Sequence, residues 1–359
     1  MRLLIAGGGT GGHLYPGIAV AQELMARPGR HEAVFAGTSR GLEARVVPRA
    51  GFPFHPIHAA GVVGKGPIGA FRGLARTAQG LADAARILRR VRPHACLGVG
   101  GYASVPVVAL ARLFGAFTAV QEQNAWPGVA NRVLGRWVHR VYLGFEEAAG
   151  RFPRRKVRVT GNPLRPEFAE AFPYPHRGEG RPLRVLVVGG SQGARALNLA
   201  VPDALARVPG PVEVLHQSGP GRKDEVASRY GPGPGVRVVE YLDDMAGAYA
   251  WCHLAVARAG ALTVGELAAA GRPAVLIPYP HAAGGHQEKN ARAAEAAGWA
   301  VCLPEPELSA EALARRIADL AGRPGRLETM AAAAAAWARR DAARVIVDEL
   351  LEAAGRLEG

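Results

Sequence analysis

The 359-residue chain is 49% hydrophobic and 21% charged, so it is long enough for two domains and apolar enough to fill a core in each. No apolar run approaches the ~18 residues of a membrane-spanning helix and no signal peptide precedes the first predicted strand, so we expect a cytosolic chain with at most peripheral membrane contact. The formal net charge of +14 implies an anionic partner, and a nucleoside diphosphate or an anionic phospholipid surface fits better than nucleic acid, for which no module is recognisable.

A glycine-rich turn, Gly7-Gly-Gly-Thr-Gly-Gly12, follows the first predicted strand (residues 2–6) and opens a predicted helix over about 14–25. Glycines permit positive φ and close backbone approach, and a helix start supplies N–H groups and the positive end of the helix dipole. Phosphate or diphosphate is therefore the expected ligand. His13 is titratable near neutral pH, so it is either a reacting group or a helix-start histidine that merely caps.

Two other nucleotide-binding motifs fit the first turn poorly. The spacing Gly7-x-Gly9-x-x-Gly12 satisfies a dinucleotide fingerprint, which also requires an acidic residue ~20 residues further on. The second predicted strand, residues 32–36, runs instead into Gly37-Thr-Ser39. The usual mode of NAD binding is therefore disfavoured, and a Walker A loop is excluded because Gly-Lys-Ser/Thr is missing.

Predicted strands and helices alternate along the first half of the chain, which is typical of a doubly wound parallel sheet. A segment rich in Pro, Gly and charge, residues 161–182, interrupts this alternation and is the expected linker. We therefore predict domains at 1–162 and 163–340, and a last helix within 341–359 that can cross back onto the first domain. The remaining strands of the first domain are predicted near 94–98, 117–121, 138–143 and 156–160.

The pattern restarts with an apolar strand at 183–188 and a second glycine turn, Gly189-Gly-Ser-Gln-Gly-Ala194, that opens a helix. Two such turns, each at the start of an α/β half, predict a pair of Rossmann-like domains facing each other across a cleft. Ligands of open α/β sheets bind beyond the carboxyl ends of the strands, so the functional residues should lie in the loops there. Further strands are predicted near 212–216, 236–239, 254–257, 274–277 and 300–303.

Several polar residues in these loops also have structural interpretations. Thr263 and Glu266 have the spacing of a capping box, which would explain both without a ligand. Asp243 and Asp244 follow a strand and precede a helix, so we interpret them as caps rather than metal ligands.

Cysteine and histidine spacing gives no sign of a disulfide framework or a metal site. His281 and His286 are five residues apart in a Gly/Ala loop, which is poor metal geometry, and no metal is expected. The three cysteines share no paired spacing and are predicted to be reduced core thiols: Cys96, Cys252 and Cys302.

Ordered motifs extend from residue 2 to about 350, which is far more specific than any one motif. They are Gly8-Gly-Thr-Gly-Gly-His13, Gly100-Gly-Tyr102, Glu122-Gln-Asn124, Gly161-Asn-Pro163 with Arg165, Gly189-Gly-Ser-Gln-Gly-Ala194, Gly260-Ala-Leu-Thr-Val-Gly-Glu266 and Gln287 to Asn290. In this combination the chain closely resembles the bacterial family of UDP-N-acetylglucosamine:N-acetylmuramyl-(pentapeptide) pyrophosphoryl-undecaprenol N-acetylglucosamine transferases. These inverting enzymes make lipid II for peptidoglycan.

The resemblance implies a GT-B fold with the lipid acceptor in the N-terminal domain and UDP-N-acetylglucosamine mainly in the C-terminal one. It implies no cofactor, and its partners are UDP-N-acetylglucosamine, undecaprenyl-linked lipid I, an anionic membrane surface and proteins of cell-wall synthesis. The implied location is peripheral, on the cytoplasmic face of the cell membrane.

Site residues are assigned by the same resemblance. Ser191, Gln192 and Arg165 would hold the diphosphate side and the ribose neighbourhood, and Leu242 would present backbone to the uracil. The other donor-binding residues would be Ala261, Leu262 and Thr263 at a helix N-terminus, Glu266 on the ribose hydroxyls, Gln287 on the sugar hydroxyls, and Thr10, Gly11 and Gly12 in the first turn.

The residues from Thr10 to His13 would also face the reacting centre. His13 is the best candidate for the base that takes the proton of the acceptor hydroxyl, since the ordinary pKa of a histidine side chain lies near the working pH. The acceptor itself would contact Tyr102, Asn124 and Asn131. Two helix N-termini and Arg165 could stabilise the negative charge of the departing UDP, so a metal is not needed on physical grounds.

A membrane contact is predicted from composition, because apolar and basic residues mix in the segment 62–92. Its centre would be Ile68, Phe71, Arg72 and Arg76, although an amphipathic helix packed on the sheet explains the part from 81 to 91.

Two departures from the family pattern are Gln121, where the family often has His, and Ala259, where it often has Ser. A catalytic role for Gln121 is therefore doubtful. The alternative functions are a UDP-N-acetylglucosamine epimerase on the same fold, a nicotinamide oxidoreductase and a non-catalytic membrane scaffold, and only the epimerase explains both glycine turns.

Overall fold

The computed structural model describes residues 1–58, 67–170, 172–178, 180–231, 235–323 and 325–358, without the side chains of 67–77 and 357–358. The chain divides into two compact units. The first unit comprises Met1–Pro166 and Asp341–Gly359, and the second comprises Glu167–Arg340.

The first unit contains a seven-stranded parallel sheet in the order β3-β2-β1-β4-β5-β6-β7. Side chains alternate between its faces, so that Leu3 and Ile5 join one core cluster while Leu4 and Ala6 join the other. The strands are β1 Arg2–Gly7, β2 Glu32–Thr38, β3 Phe54–Ile57, β4 Ala95–Gly100, β5 Phe117–Glu122, β6 Arg140–Leu143 and β7 Val157–Val159.

Helices cover both faces of this sheet, as the doubly wound pattern predicts. They are α1 Gly11–Met25, α2 Glu43–Arg49, α3 Pro67–Val91, α4 Ser104–Leu113 and α5 Val129–Trp137. Among them α3 packs on α4, and α4 packs on α5.

The second unit contains a six-stranded parallel sheet in the order β10-β9-β8-β11-β12-β13. Its strands are β8 Leu183–Val188, β9 Val212–Gln217, β10 Val236–Val239, β11 Leu254–Ala257, β12 Ala274–Leu276 and β13 Ala300–Cys302. Its helices are α6 Arg195–Leu205, α7 Lys223–Tyr230, α8 Met245–Trp251, α9 Ala261–Ala269, α10 His286–Ala296, α11 Ala310–Gly322 and α12 Arg326–Trp337. The prediction of two Rossmann-like sheets is confirmed.

The last helix, α13 (Ala342–Glu358), belongs to the first unit. Its buried Ile346 and Leu350 join the core cluster that contains Leu14 and Leu24 of α1. Charged groups reinforce the contact, since Arg27 and Asp348 form an ion pair of 2.7 Å. The C-terminal end of the chain thus completes the core of the unit that the N-terminal end begins.

The three cysteines are buried and free, as predicted. No helix in the described ranges has both the length and the apolar character required to span a membrane.

The strand order reverses beside the first strand of each sheet, between β1 and β4 and between β8 and β11. Ligands of doubly wound sheets bind at such switch points, beyond the carboxyl ends of the strands. We call residues 7–13 and 100–102 the first loop pair, and residues 189–194 and 258–263 the second loop pair.

Candidate active site

The first loop pair interlocks through its backbone. Gly7 and Gly8 both have φ of +139°, which favours glycine strongly, and the Gly8 N–H donates to the carbonyl of Gly100 at 3.3 Å. A Cβ on Gly101 would lie 2.7 Å from the Gly8 carbonyl oxygen. The glycines therefore let two loops touch where side chains would hold them apart.

His13 lies on this interlocked backbone. A Cβ on Gly100 would come within 2.9 Å of the His13 ring, so the imidazole packs directly on glycine backbone. His13 Nδ1 is 3.2 Å from Thr10 Oγ1, and the ring is half-buried. Because α1 begins at Gly11 and Thr10 holds the N-cap position, His13 does not occupy the position from which a side chain caps a helix.

Glu122, at the end of β5, is buried and holds the loop that follows it. Its carboxylate accepts from the backbone and side-chain N–H groups of Asn124 at 3.0 and 3.2 Å and from the Gly128 N–H at 3.1 Å. Asn131 Nδ2 adds a fourth hydrogen bond of 2.9 Å and also donates to the Gln121 carbonyl at 3.1 Å. Asn131 is only 2% exposed, so its contacts support the loop, whereas Asn124 is half-buried.

Gln121 is fully buried and links β5 to the segment after β7. Its Nε2 donates to Asn162 Oδ1 at 2.9 Å, and Asn162 Nδ2 donates to the Gln123 carbonyl at 3.0 Å. Gln121 therefore serves as a structural amide. Tyr102, in contrast, is 58% exposed in the first loop pair.

The second loop pair presents exposed polar side chains. Ser191 and Gln192 are exposed, and the turn closes through a hydrogen bond of 2.8 Å from the Gly193 N–H to the Gly190 carbonyl. Gly193 has φ of +69°, and any Cβ there would collide with the Ser218 carbonyl. This loop is therefore fixed against the end of β9.

A buried network behind this loop was missed by the sequence analysis. Asn198 Nδ2 donates to the Ser218 carbonyl at 2.9 Å, and Asn198 Oδ1 lies 3.0 Å from His216 Nε2. His216 Nδ1 lies 2.7 Å from the Tyr230 hydroxyl. Burial lowers the pKa of His216 to about 4, so the ring is neutral at physiological pH and bridges one donor and one acceptor. The alternation of apolar residues along β9 hides such a histidine in sequence.

The capping-box interpretation of Thr263 and Glu266 is wrong. Helix α9 begins at Ala261 with Gly260 at the N-cap position, so Thr263 lies inside the first turn. Glu266 is half-buried, and its Oε2 accepts from the Tyr249 hydroxyl at 3.3 Å.

The cap interpretation of Asp244 is confirmed, since its carboxylate accepts from the Gly247 N–H at 2.7 Å at the start of α8. Leu242 lines a cavity of about 750 Å³ bordered by β9, β10 and α8. Within the described ranges, no three His, Cys, Asp or Glu side chains are grouped to hold a metal ion.

Beyond β12, Gln287 is half-buried and accepts from the Tyr279 N–H at 2.9 Å. Arg258, which the sequence analysis did not assign, is buried at the end of β11 and donates to the carbonyls of Ile277 and Pro278 at 3.1 and 3.2 Å. Arg165 is half-buried near the end of the first unit's main segment.

Comparisons with known proteins match this two-unit arrangement. The glycosyltransferase family 28 N-terminal domain matches residues 3–143, and the C-terminal domain of the same family matches residues 184–346. The chain is 47% identical over 365 residues to the UDP-N-acetylglucosamine–N-acetylmuramyl-(pentapeptide) pyrophosphoryl-undecaprenol N-acetylglucosamine transferase of Anaeromyxobacter dehalogenans (strain 2CP-C), covering 100% of this chain and 94% of that protein.

Two solved structures distinguish relatedness in sequence from likeness in fold alone. The crystal structure of Acinetobacter baumannii MurG has a TM-score of 0.83 and 30% identity, covering 98% of this chain and 99% of that chain. The UDP-GlcNAc 2-epimerase of Neisseria meningitidis has a TM-score of 0.66 at 12% identity, covering 98% of this chain and 100% of that one. The epimerase shares the fold alone. The chain belongs to glycosyltransferase family 28 and, within it, to the family of the UDP-N-acetylglucosamine–N-acetylmuramyl-(pentapeptide) pyrophosphoryl-undecaprenol N-acetylglucosamine transferases.

Proposed function

We propose that this chain transfers N-acetylglucosamine from UDP-N-acetylglucosamine to the 4-hydroxyl of undecaprenyl-pyrophosphoryl-MurNAc-(pentapeptide), lipid I, and so produces lipid II. The observation that carries the proposal is the match over the full length of the chain to a transferase named for this reaction. The donor binds the second unit and the acceptor binds the first.

The donor diphosphate lies at the second loop pair. The exposed turn at Ser191 and Gln192 and the start of α9 meet at the switch point of the second sheet. Gly260 has no side chain to cap α9, so the first-turn N–H groups of residues 261–263 can be directed to the phosphates. The guanidinium of Arg165 pairs with the negative charge of the same diphosphate.

The rest of the nucleotide sugar extends along the second sheet. Leu242 presents backbone to the uracil beside the cavity that it lines. Glu266, oriented by the Tyr249 hydroxyl, accepts from the ribose hydroxyls. Gln287 Oε1 is occupied by the Tyr279 N–H, so the Gln287 amide nitrogen is the group that donates to the sugar hydroxyls.

The reaction is a single in-line displacement, because an inverting transfer needs no covalent intermediate. His13 takes the proton of the acceptor hydroxyl through Nε2. In that tautomer Nδ1 carries the proton and donates to Thr10 Oγ1, which is 3.2 Å away. Thr10, Gly11 and Gly12 line the reacting centre, and Tyr102 and Asn124 contact the acceptor, with Asn131 supporting their loop.

Incubation of the purified chain with labelled UDP-N-acetylglucosamine and a lipid I analogue tests the proposal. We expect label in the lipid product and release of UDP in equal amount. Label that remains in the nucleotide sugar, or that appears as an epimer, would contradict the transfer.

We further propose that the chain works peripherally on the cytoplasmic face of the cell membrane, where an undecaprenyl-linked acceptor would be presented. The predicted contact at Ile68, Phe71, Arg72 and Arg76 lies outside the residues whose side chains are described. Proteins of cell-wall synthesis remain expected partners.

Neighbouring helices in the described part support such a surface. The exposed apolar side chains there are Leu113 and Phe114 at the end of α4, and Val129, Val133 and Trp137 along α5. Arginines lie over the two aromatic rings, with Arg112 at 5.2 Å from the Trp137 centroid and Arg89 at 5.9 Å from that of Phe114. Mixed apolar and cationic side chains suit the boundary between lipid headgroups and acyl chains.

A further inference from the structure

A carboxylate is buried beneath the first glycine turn. Glu43, in the first turn of α2, is 1% exposed. Its Oε2 accepts from the Gly9 N–H at 2.8 Å, and its Oε1 accepts from the backbone N–H and the hydroxyl of Thr38 at 2.9 and 2.7 Å. The side chain therefore joins the loop after β1 to the end of β2.

Glycines make the space that this carboxylate occupies. A Cβ on Gly8 or Gly41 would collide with the carboxylate, and a Cβ on Gly37 would lie 2.7 Å from Glu43 Cγ. Gly41 does not have positive φ, and the three atoms nearest to its added Cβ all belong to Glu43. At Gly41, glycine is therefore required by the carboxylate rather than by the backbone conformation.

The contacts continue from Glu43 to His13. Gly9, held by Glu43, directly precedes Thr10, whose carbonyl accepts from the His13 N–H at 3.2 Å and whose hydroxyl lies 3.2 Å from His13 Nδ1. A displaced Gly9 would move Thr10, and with it the group that orients the imidazole.

We propose that Glu43 is a positioning residue for the transfer, an internal anion that fixes the first glycine turn and thereby the ring of His13. The inference rests on the proposed role of His13 as base. The carboxylate occupies the Gly9 N–H that a bound phosphate would otherwise take, so the turn is ordered before substrate arrives.

Two variants disturb this contact in different ways. Glu43→Gln keeps the size and shape of the side chain, but its amide N–H₂ must face a backbone N–H, so two donors meet without an acceptor. Gly41→Ala keeps the carboxylate, but the added Cβ displaces it. We expect each to lower kcat about 10- to 100-fold, because a displacement of about 1 Å can cost that much. The KM for UDP-N-acetylglucosamine should stay within about twofold, since most of the proposed donor contacts lie in the other unit.

The matched controls are Glu32→Gln, at the exposed start of β2, and Gly150→Ala, where an added Cβ meets nothing within 4 Å. Both should retain wild-type kcat. Melting curves, which report the folded fraction of each variant, allow kcat to be expressed per folded molecule.

A double-mutant cycle with His13→Ala separates positioning from general damage. If Glu43 acts through His13, Glu43→Gln should lower turnover in the wild-type background and change it by less than about twofold in the His13→Ala background. An equal loss in both backgrounds, or a fall in melting temperature with unchanged kcat per folded molecule, would overturn the inference. Full turnover by His13→Ala alone would instead reject the proposed base, and the failure of wild-type protein to transfer sugar would reject the proposed function.

Discussion

Carboxylates close to the first loop pair are used to hold backbone in place. Glu122 accepts four hydrogen bonds, three from the loop that follows it and one from Asn131 of α5, and Glu43 accepts three from Gly9 and Thr38. Both are buried, so neither is placed to take a proton from a substrate. The half-buried imidazole of His13, which packs on Gly100, is the group in this loop pair that suits general base catalysis.

Replacement of His13 by alanine should lower turnover by ~10²- to 10⁴-fold, the usual contribution of a general base. The affinity for UDP-N-acetylglucosamine should change little, because most of the proposed donor contacts lie in the second unit. Steady-state kinetics and calorimetric titration measure the two effects separately. His139→Ala is the control, since His139 directly precedes β6 and so lies at the opposite edge of the sheet from the first loop pair. Wild-type turnover in His13→Ala would exclude the base role.

Replacement of Glu266 by alanine should weaken UDP binding about 10- to 100-fold, as expected when a hydrogen bond to a charged group is lost. Tyr249→Phe removes only the hydroxyl that donates to Glu266 and should weaken binding less. Titration with UDP gives both values. If Glu266→Ala melts at a lower temperature but binds UDP normally, its carboxylate serves the fold.

At the residue level, backbone geometry was predictable where glycine is required, and not where it depends on the position of a helix boundary. The turns at 7–12 and 189–194 are visible in sequence because glycine is their requirement. The capping-box spacing at Thr263 was misleading, since Gly260 can occupy the N-cap position without a side-chain hydrogen bond. Glu43 lacks any motif, because its partners come from β2 and the first turn.

At the scale of elements, the strands with continuous apolar runs were predicted nearly to their observed bounds, and β8 and β11 match them at both ends. Strand β3 was missed. It has only four residues, Phe54–Ile57, and contains Pro56, which normally argues against a strand. Among the described residues it pairs with β2 alone and forms the edge of the sheet, where a proline is tolerated.

The exposed apolar side chains of α4 and α5 are predicted to contact the membrane. Leu113→Ser with Val133→Ser should reduce binding to anionic vesicles at least about tenfold, because two exposed apolar side chains would no longer enter the headgroup boundary. Activity on long-chain lipid I should fall, and activity on a short-chain soluble acceptor should not. Ile68→Ser with Phe71→Ser should have the same effect if α3 extends the surface.

The matched control is Met25→Ser, which removes an apolar side chain of similar exposure from α1 in the same unit. It should leave vesicle binding unchanged. Equal losses on both acceptors in the α4 and α5 variant would mean that Leu113 and Val133 serve the fold or the acceptor site, and the membrane surface would lie elsewhere.

Across the whole chain, the six strands of the second sheet repeat the order of the first six strands of the first sheet, which adds β7 at its edge, and each sheet has a glycine turn at its switch point. The repeated turns made the fold class predictable from sequence. The position of α13 was not predictable, because its apolar residues would suit either unit. Contacts with α1 assign α13 to the first unit, where Glu349 also forms an ion pair with Arg140, with 3.2 Å between Oε2 and Nε.

Stability of the second unit should depend on pH through two buried histidines. Burial lowers the pKa of His216 to about 4, and burial together with Arg184 lowers that of His253 to about 4, from an ordinary value of 6.5. The unfolded chain then binds more protons than the folded chain between these values, so the unfolding free energy falls as pH drops from 6.5 toward 4.

Hydrogen exchange at amides of β8 and β9, followed between pH 6.5 and 5, reports this dependence above the range in which carboxylates titrate. His216→Gln should reduce the slope because one titrating group is gone. Opening free energies that stay constant over this range would contradict the buried neutral state of both rings.

The configuration of the newly formed glycosidic bond reports directly on the proposed displacement. If the acceptor hydroxyl, activated by His13, displaces UDP in one step, the α-linked donor must give a β-linked product. NMR of the product made from isotopically labelled UDP-N-acetylglucosamine and a soluble lipid I analogue identifies the linkage. We predict a β-linked N-acetylglucosamine on the 4-hydroxyl of MurNAc with release of UDP, and an α-linked product, or label confined to the nucleotide sugar, would contradict it.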